Sequence, residues 1–167
     1  EQTKSIHLNG QRVLIYWQDT RDREGNPQTY GRIVGQSQDF DEDEILLSEY
    51  PYHQVSPHIV KADEHTLFLG FFDAKNQVIY QRLDTDLNRL GSAIPVYSDG
   101  EEQDLPYLYS AGDGYVYYGY STTTGGSNIY LQKFTANGIA EWPIPKQITI
   151  NNGEEEDLHF RLIAMLI

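Results

Sequence analysis

A two-part unit recurs along this chain, and the recurrence constrains the fold more than any other feature. An apolar run, Val13-Leu14-Ile15-Tyr16-Trp17, is followed after a polar loop by Thr29-Tyr30-Gly31-Arg32-Ile33-Val34. The unit returns as residues 67–72 with 78–83, and again as 115–120 with 128–134. Its leading tyrosines, Tyr30, Tyr80 and Tyr130, stand 50 residues apart both times. A fixed period of this size marks a repeat architecture, and the spacing predicts the three tyrosines at equivalent strand positions.

Each module reads as four strands. In the first, residues 6–8 turn at Asn9-Gly10 into residues 12–17; Asn-Gly between apolar runs is the strongest short hairpin signal. A long loop leads to the strand around Tyr30, and a fourth strand is expected near 45–47. The nearest approach to a helical pattern is also here, in 39–47, where acidic residues precede Ile45-Leu46-Leu47. The modules span about 5–50, 56–98 and 105–150. Pro57 and Pro106 are expected to open first strands, where a missing backbone donor costs least. Residues 158–167 fall where a fourth module would begin and predict a terminal strand.

The second strands, 13–17 and 67–72, are apolar almost continuously. A sheet with one wet face alternates, whereas a sheet covered on both faces need not. Stacked blades of a β-propeller cover both faces, and four strands per repeat suit a blade. The expected fold is therefore all-β, a β-propeller-like array of about three four-stranded blades plus a terminal strand. The alternative is a β-trefoil, which also has three four-stranded repeats. Three blades do not close a ring, since propellers have about 4–8, so the propeller reading calls for further blades or a second chain.

The unit Trp17-Gln18-Asp19-Thr20-Arg21 with Tyr30-Gly31-Arg32-Ile33 resembles the propeller repeats of bacterial secreted and cell-surface proteins, approximately W-x-D-x-R, a loop, then I-Y-x-Q-R-hydrophobic-D. The second module matches with Ile79-Tyr80-Gln81-Arg82-Leu83-Asp84, and the third with Ile129-Tyr130-Leu131-Gln132-Lys133-Phe134. The second has Phe71, Asp73 and Lys75 in place of Trp17, Asp19 and Arg21, and the third keeps none of these three. The resemblance implies a propeller exported to the cell surface, periplasm or exterior, and no particular activity.

Charge narrows the partners. With 12 basic and 25 acidic residues the formal net charge is -13, which repels phosphate backbones and anionic lipid. Nucleic acid is therefore disfavoured. No apolar run approaches the ~20 residues that span a bilayer, so membrane insertion is not expected. The chain has no cysteine and hence no disulfide framework. It opens on Glu1-Gln2-Thr3-Lys4, which reads as a processed chain or part of a longer one.

The links before each first strand are the most distinctive loops. One carries Tyr50, Tyr52 and His53; the next carries Glu101, Glu102 and Asp104; the third carries Glu154, Glu155 and Asp157. In a propeller such links emerge on one face, and loops are free to vary while strands are consumed in packing. Aromatics suit stacking on a sugar or packing on protein; clustered carboxylates suit a basic partner or, less readily, calcium. The expected function is a non-enzymatic binding or scaffold module of an exported protein, recognising a glycan or a protein surface. The alternative is part of a secreted polysaccharide-degrading enzyme, whose two carboxylates need only a certain separation in space. Asp19 with Arg21, and the three tyrosines, read as structural. Asp84-Thr85-Asp86-Leu87-Asn88 imitates a calcium loop, but Arg89 stands where that loop needs glycine, so a polar turn is expected.

Overall fold

The computed structural model describes residues 3–21, 25–35, 43–97, 103–122 and 128–149, with 104–106 as backbone only. Among these residues the chain is all β, with no helix. It forms three four-stranded antiparallel sheets, each a meander in chain order. The first comprises β1 (Lys4–His7), β2 (Val13–Asp19), β3 (Gln28–Val34) and β4 (Ile45–Leu46). The second comprises β5 (Val55–Lys61), β6 (Thr66–Phe72), β7 (Val78–Asp84) and β8 (Ile94–Pro95). The third comprises β9 (Gln103–Tyr109), β10 (Tyr115–Thr122), β11 (Asn128–Thr135) and β12 (Lys146–Gln147). Residues 45–46, in the segment with the helical pattern, are the short strand β4; the predicted terminal strand 158–167 lies outside the described residues.

The turns close as their residues dictate. Gly10 takes φ 59°, a conformation only glycine adopts without cost, and Leu8 N donates to Arg12 O at 3.0 Å. In the second sheet Asp63 Oδ1 accepts from His65 N and Thr66 N, both at 2.8 Å. Asp84, in the sequence that mimics a calcium loop, spends its carboxylate on Asp86 N, Asn88 N and Asn88 Nδ2. Asp19 accepts from Arg21 N, and the Arg21 guanidinium pairs with Asp19 and Glu44 and lies 5.3 Å from the Tyr30 ring centroid. These are short-polar-residue turns of the ordinary kind.

The sheets stack face to face with the second in the middle. From β6, Leu67, Leu69 and Phe71 point to the first sheet and meet Leu8, Leu14, Tyr16, Ile33 and Leu47. Between them Phe68, with Val78 and Tyr80 of β7, points the other way onto Leu108, Val116, Tyr118 and Phe134 of the third sheet. This is why β6 does not alternate: both of its faces are core, and Leu67, Phe68, Leu69 and Phe71 are all 0% exposed. Each such side chain contributes roughly 1.5–3 kcal/mol by leaving water. Polar ties reinforce the stack. Lys61 Nζ donates to Leu8 O at 2.6 Å, Arg89 reaches Leu46 O and Glu49, and Tyr80 Oη donates to Gly138 O at 3.0 Å.

The equivalence of the three tyrosines is corrected by register. Leu47 N donates to Thr29 O, Val96 N to Val78 O, and Ile148 N to Ile129 O, so the matching positions are 29, 78 and 129, separated by 49 and then 51 residues. Tyr30 and Tyr130 therefore correspond to Ile79. Their partners on the second strands agree: Trp17, Tyr120 and Phe71. Tyr80 lies one residue further on, opposite Gly70, and faces the other side of its sheet. A one-residue step reverses the face a strand residue presents.

The prolines are corrected as well. β5 and β9 begin before them, and each strand carries a bulge there. Two residues, Ser56 and Pro57, lie between the pairs Val55↔Phe72 and His58↔Gly70, against one on β6. Leu105 and Pro106 lie likewise between Asp104↔Ser121 and Tyr107↔Gly119. A bulged residue leaves the ladder, so proline loses no bond.

Candidate functional site

The first strands of the three sheets lie side by side, and register picks out one residue from each. Lys4 pairs with Tyr16, His58 with Gly70, and Tyr107 with Gly119. Tyr16, Gly70 and Gly119 are themselves equivalent, because each also faces the partner of a matched third-strand position, Gly31, Tyr80 and Leu131. Lys4, His58 and Tyr107 thus stand at one level of the structure. Together with Ser5, Ile6, Tyr16, Ser56 and Ile59 they line a cavity of about 640 Å³, within the ~300–1,000 Å³ of small-molecule sites.

The wall is held by bonds between sheets. Lys4 Nζ donates to Pro57 O at 2.9 Å, and Ile59 N donates to Tyr16 Oη at 3.2 Å. His58 and Tyr107 meet edge to face, with centroids 6.0 Å apart and planes at 83°. Ser56 has φ 52°, the left-handed conformation disfavoured for residues with a Cβ, and the bulge fixes it at the rim. Gly70 is glycine for lack of room: a Cβ there would lie 2.1 Å from Tyr118 Oη.

Electrostatically the site is a weakly basic, half-dry hollow. Burial lowers the His58 pKa, and the nearby Lys4 charge lowers it further; burial also lowers that of Lys4. Burial raises the Tyr16 phenol, partly offset by the Ile59 N–H. His58 is therefore a neutral imidazole at pH 7, able to donate and to accept. Tyr107 is 43% exposed and offers ring area for stacking. Among the described residues no Asp or Glu lines the cavity, and no group of three His, Cys, Asp or Glu is placed to hold a metal ion.

The aromatic link predicted from sequence divides in the structure. Tyr50 packs on Phe71 at 5.5 Å, and its hydroxyl donates to Asp73 Oδ2 at 3.0 Å. Burial followed by that hydrogen bond pushes its pKa up to about 12. Tyr50 is a packing residue. Tyr52 lies edge-on to Tyr50 and is 60% exposed, and Gln28 Nε2 holds its carbonyl at 3.0 Å. His53 is half-buried. The link that carries Tyr52 runs directly into Ser56 on the cavity wall. Glu101, Glu102, Glu154, Glu155 and Asp157 lie outside the described residues; Asp104 is described as backbone, opposite Ser121. A smaller hollow of about 280 Å³ lies between the first and second sheets, beside the Glu49–Arg89 pair.

Lys4, His58 and Tyr107 did not stand out in the sequence, because three unlike residues show no repeat. One signal was present: Pro57-His58 and Pro106-Tyr107 are the same proline-led step 49 residues apart.

No family model matches this chain. No curated protein matches it either. Among solved structures it is similar to the endo-arabinase from Bacteroides thetaiotaomicron VPI-5482, with a TM-score of 0.51 and 12% sequence identity over 90% of this chain. At that identity the likeness is one of fold. The chain spans 62% of the length of that structure, less than two thirds of it.

Proposed function

We propose that the three sheets are consecutive blades of a β-propeller and that the module, part of an exported or cell-surface protein, binds a glycan without cleaving it. The observation that carries the reading is the cavity where the three first strands supply Lys4, His58 and Tyr107 at one level. Strict meanders stacked by their faces, with first strands adjacent, favour a propeller over a trefoil. An exposed tyrosine ring beside serine hydroxyls and a neutral imidazole suits a sugar, which has an apolar ring face and polar rim. Titration of the purified chain with a panel of oligosaccharides, including arabinan fragments, tests the reading. Binding that weakens about tenfold in Tyr107→Ala, as aromatic anchors do, supports it. Binding indifferent to Tyr107 overturns it.

The likeness to an endo-arabinase favours a second reading, in which this chain is part of a polysaccharide-degrading enzyme. Release of shorter sugars from any member of the panel would decide for that reading.

A further inference from the structure

Cations among the described residues are mostly matched. Arg12 pairs with Asp86, Arg21 with Asp19 and Glu44, Arg32 with Glu44, and Arg89 with Glu49. Lys133 and Lys146 lie over the rings of Tyr115 and Trp142, at 3.8 and 4.3 Å. Lys4 is different. It is half-buried in the cavity wall, and among the described residues it pairs with no carboxylate. Its one hydrogen bond there goes to the Pro57 carbonyl. An ammonium has three donors, so two remain for the hollow.

We propose, building on the glycan-binding reading above, that the ligand carries a carboxylate, as in a uronic-acid unit, and that Lys4 receives it. The neighbours fit this class. The Ser5 and Ser56 hydroxyls and the His58 ring, whose nitrogens make no hydrogen bond among the described residues, are available to sugar hydroxyls; Tyr107 offers its ring to the sugar face. A half-buried ammonium is costly unless paired, and a carboxylate arriving from solvent removes that cost. The net charge of -13 works against anions at long range, but salt screens it beyond about 8 Å. A charged hydrogen bond acts at about 3 Å. The global charge therefore slows encounter, while Lys4 decides which sugar stays.

The test is calorimetric titration of the chain with glucuronate and galacturonate disaccharides and with their methyl esters, which keep the skeleton and lose the charge. The acid is expected to bind about tenfold or more tightly than its ester, as befits a hydrogen bond to a charged group, and the gap is expected to shrink as salt is raised. Lys4→Gln is expected to narrow the acid-to-ester ratio to within about twofold, and Lys4→Arg to keep it. Equal affinity for acid and ester in the unaltered chain, or a preference that survives Lys4→Gln, overturns the proposal. Ester binding that still depends on Tyr107 would then leave the glycan reading standing; binding of neither sugar would overturn this proposal and leave the glycan reading to the oligosaccharide panel.

Discussion

Gln54 and Gln103, 49 residues apart, make the same bond in successive links. The side-chain oxygen of Gln54 accepts from Thr29 N at 3.0 Å, and that of Gln103 from Val78 N at 2.9 Å. Their own backbone N–H groups donate to Pro27 O and Asn76 O. Each link is thereby clipped to the sheet it has just left, at the point where the chain enters the next. In the third sheet the equivalent donor, Ile129 N, is taken by Thr149 Oγ1 at 3.0 Å.

Replacing either glutamine by leucine strands a buried donor. Both are essentially inaccessible, at 0% and 1% exposure. An unsatisfied buried group costs about 1–3 kcal/mol, so urea denaturation of Gln54→Leu and Gln103→Leu is expected to show a loss of that size in each. A loss below about 0.5 kcal/mol, the scale of neutral surface changes, would contradict the clip.

Tyr118 makes the opposite case. Its hydroxyl is buried between the second and third sheets with no hydrogen-bond partner among the described residues. Tyr118→Phe removes an orphan and is expected to leave stability unchanged or raise it by about 1 kcal/mol. Gly70→Ala, which drives a methyl group against that hydroxyl and against Leu108, is expected to cost about 1–3 kcal/mol by overpacking. Thermal denaturation of the two variants reads both signs.

His58 sets an acid-side dependence. Its folded pKa lies below the ordinary histidine value of 6.5, so between the two the unfolded chain binds more protons and stability falls as pH falls. Comparing the chain with His58→Gln removes the contribution of other groups. The stability difference between them is expected to be flat above about pH 7.5 and to shrink or invert as pH drops through 6.5. A difference constant from pH 8 to 5 would show that burial and Lys4 do not act on this imidazole.

Tyr50 sets an alkaline one. Its pKa rises from 10.0 to about 12 in the fold, so the unfolded chain ionises first and stability is lost as pH climbs between those values. Tyr50→Phe is expected to blunt the loss relative to the parent chain, and urea titrations at pH 9, 10 and 11 read the slope.

The sequence disclosed sheet class and strand count through β6. An uninterrupted Leu67-Phe68-Leu69 makes sense only with core on both sides, and that is where it lies. It misled on phase, because Ile79 and Tyr80 are neighbours and unequal module lengths of 49 and 51 residues average to 50. The eye follows tyrosine; the ladder follows hydrogen bonds. The site was hidden for a related reason. Cavity walls vary in residue type while the backbone position repeats, so Lys4, His58 and Tyr107 become comparable only once each is matched to Tyr16, Gly70 and Gly119.

The bulges at Ser56-Pro57 and Leu105-Pro106 have a bearing on how such a protein can diversify. A residue extruded from a ladder can be exchanged, or turned by its φ, without shifting the pairs on either side. Immediately after each bulge comes the side chain that faces the hollow, His58 in one case and Tyr107 in the other. The fold thus places its most forgiving backbone next to the groups that line the hollow, and the residues there can change while the stacked core is left alone.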